Sequence, residues 1–396
     1  MGVHRLLRAG LAAMAVSAVV AVAGCASSGS GIQAGERVDV YVSMPLHGPE
    51  AANGRDVMAG ARLALTDADG RVGELAVRAA YLDDTSGTGS NAGWSGARAA
   101  ANARQATQDS AAIAYIGDFD SGATRFSLPI TNEAHLLQVS PAASAIDLVQ
   151  PYLGAGDQVP EEIQPTGERT FGRVIPSDEA QARAGAIWAK RLGSRGVFIE
   201  RGTTRYDDVM AAAFHEQATS LNLRIAGTGE KLPETATGDL AYAAVEPSER
   251  PGIVSAMSRV MGTDALLTPA IPAWLVSGRQ PREVFLTSAA EDPSQLPPRA
   301  HRFLRDFRDR YHREPGRYAA YGYEAMAVVL DSIRRAGDSG DQRDAVVDAF
   351  FDTTDRRSIL GMYSIDEVGN TTLGQLAGYR VVKGGPRFET ALSAGE

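Results

Sequence analysis

The segment Ala111–Ser144, AAIAYIGDFDSGATRFSLPITNEAHLLQVSPAAS, decides the fold. Its apolar start, Ala111–Ile116, predicts a buried strand, Thr124–Ala134 predicts a helix, and Leu136–Val139 predicts a second strand. A strand, a helix and another strand in succession form a right-handed crossover between parallel strands. The segment therefore predicts an α/β domain built on a parallel sheet.

The same unit precedes this segment twice. Residues 38–43 alternate valines with Asp, Tyr and Ser, which is the period of a strand, and a loop at 44–54 leads into a helix with an apolar face. Leu75–Leu82 predicts a further strand and Trp94–Gln108 a further helix. Strands that alternate with helices favour a parallel sheet covered on both faces.

A second lobe follows residues 145–170, which lack periodicity and are rich in proline and glycine, as in a surface loop near a domain boundary. After Phe171 the alternation resumes, and Ser177 is the predicted cap of the next helix. The elements predicted here are a helix to Leu192, strands at Val197–Glu200, Ala265–Thr268 and Val284–Thr287, and a helix at Asp207–Leu221. The chain turns helical from Pro298, and Gly361–Phe388 predicts strands and turns.

The N-terminus resembles the secretory leader of a bacterial lipoprotein. Arg5 and Arg8 precede an apolar run at 9–22, and Val22-Ala23-Gly24-Cys25 matches a lipobox. The resemblance implies that residues 1–24 are a leader cut before Cys25, that Cys25 carries fatty acyl groups such as palmitate, and that 25–36 form a tether. Two alternatives are a buried thiol and a membrane-spanning helix, but the run is shorter than the roughly 20 residues that a span needs.

Composition limits the class of partner. The 396 residues carry a formal net charge of −9, which argues against nucleic acid. The single cysteine excludes an internal disulfide, so hydrophobic packing must stabilise the domains.

Several segments in order resemble the type I periplasmic solute-binding proteins, specifically the branched-chain amino-acid receptors of ABC transporters (the Leu/Ile/Val-binding family). The matching motifs are MPLHGP at 44–49, YIGxxxS at 115–121, LPI at 128–130, QVSPAAS at 138–144, FxxxYxxxP at 307–315, YGYEA at 321–325 and GxYxIDxxG at 361–369. The resemblance implies two doubly wound, Rossmann-like α/β lobes with a ligand cleft between them. It places residues 37–170 and about 292–358 in lobe 1, and about 171–291 and 359–396 in lobe 2.

The resemblance also implies the ligand-binding residues. They are Leu46, His47, Ser121, Ser140, Ala142 and Ser144 in lobe 1 and Tyr206 in lobe 2. Ser121 and Ser144 stand where strands end and helices begin, and the free N–H groups of a helix start suit a ligand carboxylate. A helix cap at Ser121 and a plain turn at Ser140 are the structural alternatives.

The second lobe departs from the family pattern. Residues 286–290, where an acid for a ligand ammonium group is expected, read LTSAA, with Glu291 only nearby. Asp118 and Asp120 add negative charge beside the expected carboxylate site. We therefore expect a small polar ligand other than a plain aliphatic amino acid.

No sequence pattern supports catalysis, a cofactor or a metal. Gly87-x-Gly89-x-x-Ala92 lacks the strand-turn-helix context of a dinucleotide loop, and the histidines lack zinc-site spacing. The prediction is an extracytoplasmic, lipid-anchored receptor that delivers a small polar solute, an amino acid or a related compound, to an ABC permease. The alternatives are a sensory lipoprotein subunit and, less favoured, a lipoprotein enzyme.

Overall fold

The computed structural model describes residues 37–151, 162–230, 238–244, 257–267, 283–383 and 385–395. The predicted leader, the tether and the lipidation site Cys25 lie outside this range. Among the described residues no helix has both the length and the apolar character needed to cross a bilayer.

The described chain alternates strands and helices along most of its length. The helices are α1 Ala51–Asp67, α2 Gly96–Gln108, α3 Ser121–Glu133, α4 Asp178–Arg191, α5 Arg205–Ser220, α6 His301–Tyr311, α7 Ala319–Arg335 and α8 Arg343–Phe351. The strands are β1 Arg37–Met44, β2 Arg71–Val72, β3 Leu75–Asp83, β4 Thr85–Ser86, β5 Gly93–Trp94, β6 Ala112–Ile116, β7 Leu137–Ser140, β8 Phe171–Arg173, β9 Val197–Arg201, β10 Ile225–Gly229, β11 Leu240–Ala244, β12 Arg259–Gly262, β13 Glu283–Ser288, β14 Arg356–Ser358, β15 Gly361–Tyr363, β16 Gln375–Val382 and β17 Gly385–Ser393.

Lobe 1 is built on a six-stranded sheet in the order β2-β3-β1-β6-β7-β8. The pairs from β3 to β8 are parallel, and only β2 runs antiparallel to its neighbour. Both faces are covered: Val38, Val40 and Val42 enter one apolar core with residues of α1, α6, α7 and α8, whereas Tyr41 enters a second core with residues of α2. Burial on both faces explains why the strands of the opening segment are almost wholly apolar.

Lobe 2 is built on a seven-stranded sheet in the order β10-β9-β11-β12-β13-β16-β17. The first five strands are parallel, and β16 and β17 add two antiparallel strands at one edge. Helices α4 and α5 cover one face, where Phe214 stacks on Tyr242 with ring centroids 3.9 Å apart. The cap predicted at Ser177 is present, since its Oγ accepts from the Ala180 N–H at 3.3 Å.

The structure moves the boundaries between the lobes. Phe171–Arg173, assigned to lobe 2 from the sequence, pairs with β7 as the last strand of the lobe 1 sheet. Leu360, Tyr363 and Leu373 likewise pack in the lobe 1 core. The chain therefore returns to the lobe 2 sheet only at β16. The chain thus passes between the two sheets three times, at 174–177, 289–300 and 364–374.

One predicted strand is wrong. Ala265–Thr268 was expected to be a strand, but Asp264–Leu266 forms a 3-10 turn and the strand lies earlier, at Arg259–Gly262. Leu266 and Leu267 are buried at the end of the turn. In the sequence alone, such a short apolar run has the same pattern as a short buried strand. This shift places Asp264 directly beyond the carboxyl end of β12.

Candidate functional site

A cavity of about 1270 Å³ lies between the lobes. Lobe 1 lines it with the start of α1, the turn from β6 into α3, the segment after β7 and Arg317 and Tyr318. Lobe 2 lines it with Asp178, the loop from β9 into α5, and the turn after β12. Most of these segments follow the carboxyl ends of parallel strands, which is where open α/β sheets bind ligands.

Four of the predicted site residues line this cavity: Ser121, Ala142, Ser144 and Tyr206. Ser121 is the first residue of α3, and its Oγ accepts from the Ala145 N–H at 3.2 Å. Tyr206 faces it from lobe 2, where its hydroxyl donates to Thr263 Oγ1 at 2.7 Å. The structure therefore brings together predicted residues from both lobes.

The other three predicted residues lie away from the described cavity lining. Leu46 packs on the lobe 1 core, and the His47 Nδ1 lies 2.9 Å from Asp83 Oδ2 with the side chain 69% exposed. Ser140 is fully buried, donates to the Asp118 carbonyl at 2.7 Å and accepts from the backbone N–H groups of the next loop. Ser140 thus shapes the loop that carries Ala142 and Ser144.

The start of α3 already holds a carboxylate from the chain itself. Asp120 is the residue before the helix, and its Oδ1 accepts from the Gly122 N–H at 2.7 Å. Burial, together with the negative charges of Glu50 and Asp118, raises the pKa of Asp120 to about 6. This helix start, expected to receive a ligand carboxylate, therefore presents an acid to the cavity.

Two further acids are buried behind Asp120. Asp118 accepts from the Tyr115 hydroxyl at 2.9 Å and from Ser127 Oγ at 2.5 Å, and burial raises its pKa to about 6. Asp84 has no exposed surface, and neither of its carboxylate oxygens has a hydrogen-bond partner. Burial first, and then the charge of Asp118, raises the pKa of Asp84 to about 8.

Replacing Asp84 by asparagine should stabilise the protein at pH 8 by about 2 kcal/mol, because it removes a buried carboxyl group that the fold holds protonated while the unfolded chain ionises it. The raised pKa means that the folded chain keeps this proton up to about pH 8, while the unfolded chain loses it near 4. Stability is therefore lost as the pH rises between these values, and Asp84→Asn should flatten that decline. Urea unfolding at pH 5, 6.5 and 8 measures this change in the free energy of unfolding with pH. The control Asp338→Asn, at an exposed position, should leave the pH dependence unchanged. An equal pH dependence in both variants would contradict the prediction.

Lobe 2 contributes two acids that the sequence analysis did not identify as site residues. Asp178 is the first residue of α4 and is 4% exposed, and burial raises its pKa to about 7 in spite of a hydrogen bond with Ser144. Asp264 accepts from Gln181 Nε2 at 3.0 Å and from the Ala289 N–H at 3.3 Å, and burial raises its pKa. Asp178 follows the predicted cap Ser177 at a helix start, and Asp264 precedes the segment wrongly predicted to be a strand.

The region where an acid had been expected contributes none to the described lining. Residues 286–290 are buried in and after β13, and Glu291 is 6% exposed with its N–H donating to the Tyr321 hydroxyl at 2.9 Å. Lobe 2 thus supplies its acids from the turn after β12 and from the start of α4.

Arginines balance only part of this negative charge. Arg125 and Arg205 both pair with Asp147, so these three residues form one ionic triad in the cavity wall. The remaining charged residues of the described lining are the acids Glu50, Asp120, Asp178 and Asp264 and the arginines Arg55 and Arg317. Outside the triad, acids therefore outnumber arginines, and they lie on both walls.

Aromatic side chains complete the lining. Phe119 and Tyr318 meet edge to face with centroids 4.8 Å apart, and Trp94, from the β4–β5 hairpin, is 40% exposed. A Cβ at Gly122 would lie 2.6 Å from Trp94 Cζ2 and 3.0 Å from Asp120 Oδ1, so the indole ring and this carboxylate meet over the start of α3. An aromatic face beside a carboxylate is a surface that attracts cations.

Among the described residues no group of three or more His, Cys, Asp or Glu side chains could hold a metal ion. The cavity walls can instead offer hydrogen bonds, ionic contacts and aromatic faces to an organic solute.

Comparisons with known proteins identify the fold. No family model and no curated protein matches the sequence. A leucine-binding protein from Thermotoga maritima superposes with a TM-score of 0.69 at 22% identity, over 90% of this chain and 99% of that one. An ABC transporter substrate-binding protein from Desulfitobacterium hafniense, in complex with Leu, gives 0.70 at 17% identity, over 89% and 100%.

A solute-binding protein of an ABC transporter from Rhodopseudomonas palustris, in complex with p-hydroxybenzoic acid, gives a TM-score of 0.68 at 17% identity, over 90% of this chain and 97% of that one. At these identities the likenesses show the fold alone. The chain has the type I periplasmic binding fold that the sequence resemblance predicted.

Proposed function

We propose that this chain is an extracytoplasmic receptor that binds a small, positively charged solute, an amino acid or a related compound, in the cleft between its lobes. The observation that carries the proposal is the cavity itself, since lobe 1 and lobe 2 each contribute acidic residues to its lining. A solute held by both walls favours the closed arrangement by its differential affinity for that arrangement. The closed surface would then be recognised by an ABC permease.

The charge of the cleft defines the class of solute. Asp120 with Glu50 on one wall and Asp178 with Asp264 on the other favour ammonium or guanidinium groups. Arg317 and Arg55 of the same lining would bind a carboxylate of the solute. A basic amino acid such as L-arginine meets both requirements, whereas leucine and p-hydroxybenzoate, which occupy similar structures, lack a second cationic group.

A thermal-shift screen of the full-length chain in detergent tests this function. L-Arginine should raise the melting temperature by several degrees, because a solute at a hundred times its dissociation constant stabilises the fold by about 2.7 kcal/mol. L-Leucine and p-hydroxybenzoate at equal concentration are the controls and should give no shift. A shift with leucine alone would refute the ligand class, and no shift with any amino acid or amine would count against the receptor itself.

We also propose that the protein is anchored to the outer face of a membrane through acyl chains on Cys25. The support is the lipobox in the sequence, and two or more acyl chains are enough for stable anchoring. Cells that express the chain and are fed an alkyne analogue of palmitate should label the parent protein and not Cys25→Ser. L-Arginine should bind both proteins equally, because the anchor precedes the binding fold; an equally labelled Cys25→Ser protein would disprove acylation at this residue.

A further inference from the structure

Helix α5 of lobe 2 touches lobe 1 through its first two turns. Arg205 Nη1 donates to Asp147 Oδ2 at 2.8 Å. Val209, one turn further along the same helix face, is 6% exposed and packs in an apolar cluster whose other members all belong to lobe 1. They include Leu128, Ile146, Leu148 and Phe171. One face of α5 thus makes an ionic and an apolar contact across the cleft.

Asp147 receives an arginine from each lobe. It lies in the 3-10 turn Ile146–Leu148, and its side chain is only 2% exposed. Arg125 of α3, which belongs to the same lobe as Asp147, pairs with its other carboxylate oxygen. The guanidinium of Arg205 is half exposed, with a side-chain accessibility of 50%.

This arrangement lets the contact break and re-form. A buried carboxylate left without a partner is strongly destabilising. When the lobes separate, Asp147 loses Arg205 but keeps Arg125, so its carboxylate is not left without a partner. The ionic contact therefore favours the closed arrangement without trapping it.

We propose that Arg125, Asp147 and Arg205 form an interlobe latch that sets the closed population of the protein before a solute binds, and through it the affinity of the cleft. The coupling to affinity rests on the proposed function. When only one arrangement binds well, the apparent dissociation constant equals the intrinsic one divided by the fraction in that arrangement. Because Arg205 is half exposed, salt should weaken the latch.

Distances between nitroxide labels on the two lobes test the latch directly. The full-length Cys25→Ser chain would carry labels at Gln105→Cys on α2 and Ser220→Cys on α5, both exposed positions. Without solute, Arg205→Ala should decrease the ratio of short to long distances at least threefold, and Arg205→Lys should restore part of it. Salt at 0.5 M should lower the ratio in the parent and leave Arg205→Ala almost unchanged.

Arg201→Ala is the matched control. Arg201 pairs with Asp208 inside lobe 2, and both side chains are exposed to a similar extent, 45% and 43%. Unchanged distances in Arg205→Ala, or an equal change in Arg201→Ala, would overturn the latch. A changed distance ratio with unchanged L-arginine affinity would overturn its coupling to binding. These distances need no solute, so a screen in which no amino acid or amine binds would refute the proposed function and leave the latch standing.

Discussion

Gly322→Val is expected to destabilise lobe 1, with a loss on the order of 4 kcal/mol in the free energy of unfolding. A Cβ at Gly322 in α7 would lie 2.2 Å from the Val57 carbonyl oxygen and 2.6 Å from its Cα in α1. A Cβ at Gly60 of α1 would lie 1.9 Å from the Ala319 carbonyl oxygen of α7. These are backbone atoms, so no side-chain rotation relieves the clash and the two helices must separate.

The same separation would damage the cleft. Glu50 precedes α1 and Tyr318 precedes α7, and both line the cavity. Because native domains are stable by only about 5–15 kcal/mol, the expected loss is a large part of the total. Solute binding should be lost together with stability.

Urea unfolding followed by circular dichroism measures the effect, and Gly322→Ala serves as a milder variant that still purifies. Gly374→Val is the matched control, since a Cβ there would meet nothing within 4 Å. Equal midpoints for Gly322→Val and Gly374→Val would show that the helices can move apart at little cost.

The sequence predicted the fold well where burial produces a strong period. β1, β3, β6 and β7 fall within one or two residues of their predicted limits. β6 and β7 are buried along their whole length, as central strands of a parallel sheet are. The alternation of these units predicted an α/β fold, and the two-lobe type I fold was implied by the resemblance of the ordered motifs to a known family. The lobe boundary failed at Phe171–Arg173, since a three-residue strand has no period that assigns it to one sheet or the other.

The site could be predicted only in part. Ser121, Ser144 and Tyr206, which the family resemblance implied, line the cavity. His47 does not, because the nearby Asp83 lies within hydrogen-bonding distance of its ring. Asp178 and Asp264 could not be identified as site residues from the sequence. An acid at a helix start or in a turn has the same local pattern whether it faces solvent or a cleft. Only the tertiary fold brings them to one cavity.

Asp264→Asn is expected to weaken L-arginine binding by about 10- to 100-fold, because a hydrogen bond to a charged group contributes about 1.5–3 kcal/mol. Asp264 lines the lobe 2 wall beyond β12, with its two oxygens held by Gln181 and the Ala289 N–H. Asparagine keeps one acceptor for these contacts but removes the charge that a cationic solute needs. Titration calorimetry at pH 8 measures the change.

Lowering the pH should also weaken the binding of L-arginine by the parent protein. Burial raises the pKa of Asp178 to about 7 and that of Asp120 to about 6, so these two acids take up protons between pH 8 and pH 5. A protonated acid cannot pair with a cation, and the affinity for L-arginine should therefore fall over this range.

Asp208→Asn is the control for both measurements, because Asp208 lies on α5 outside the cavity lining and pairs with Arg201. It should bind L-arginine as the parent does, with the same pH dependence. Thermal unfolding of each variant without solute separates a binding defect from a folding defect. If Asp264→Asn melts like the parent and binds L-arginine equally well at pH 8, the ligand cation does not contact Asp264, and the other acids of the lining, Asp178, Asp120 and Glu50, must hold it.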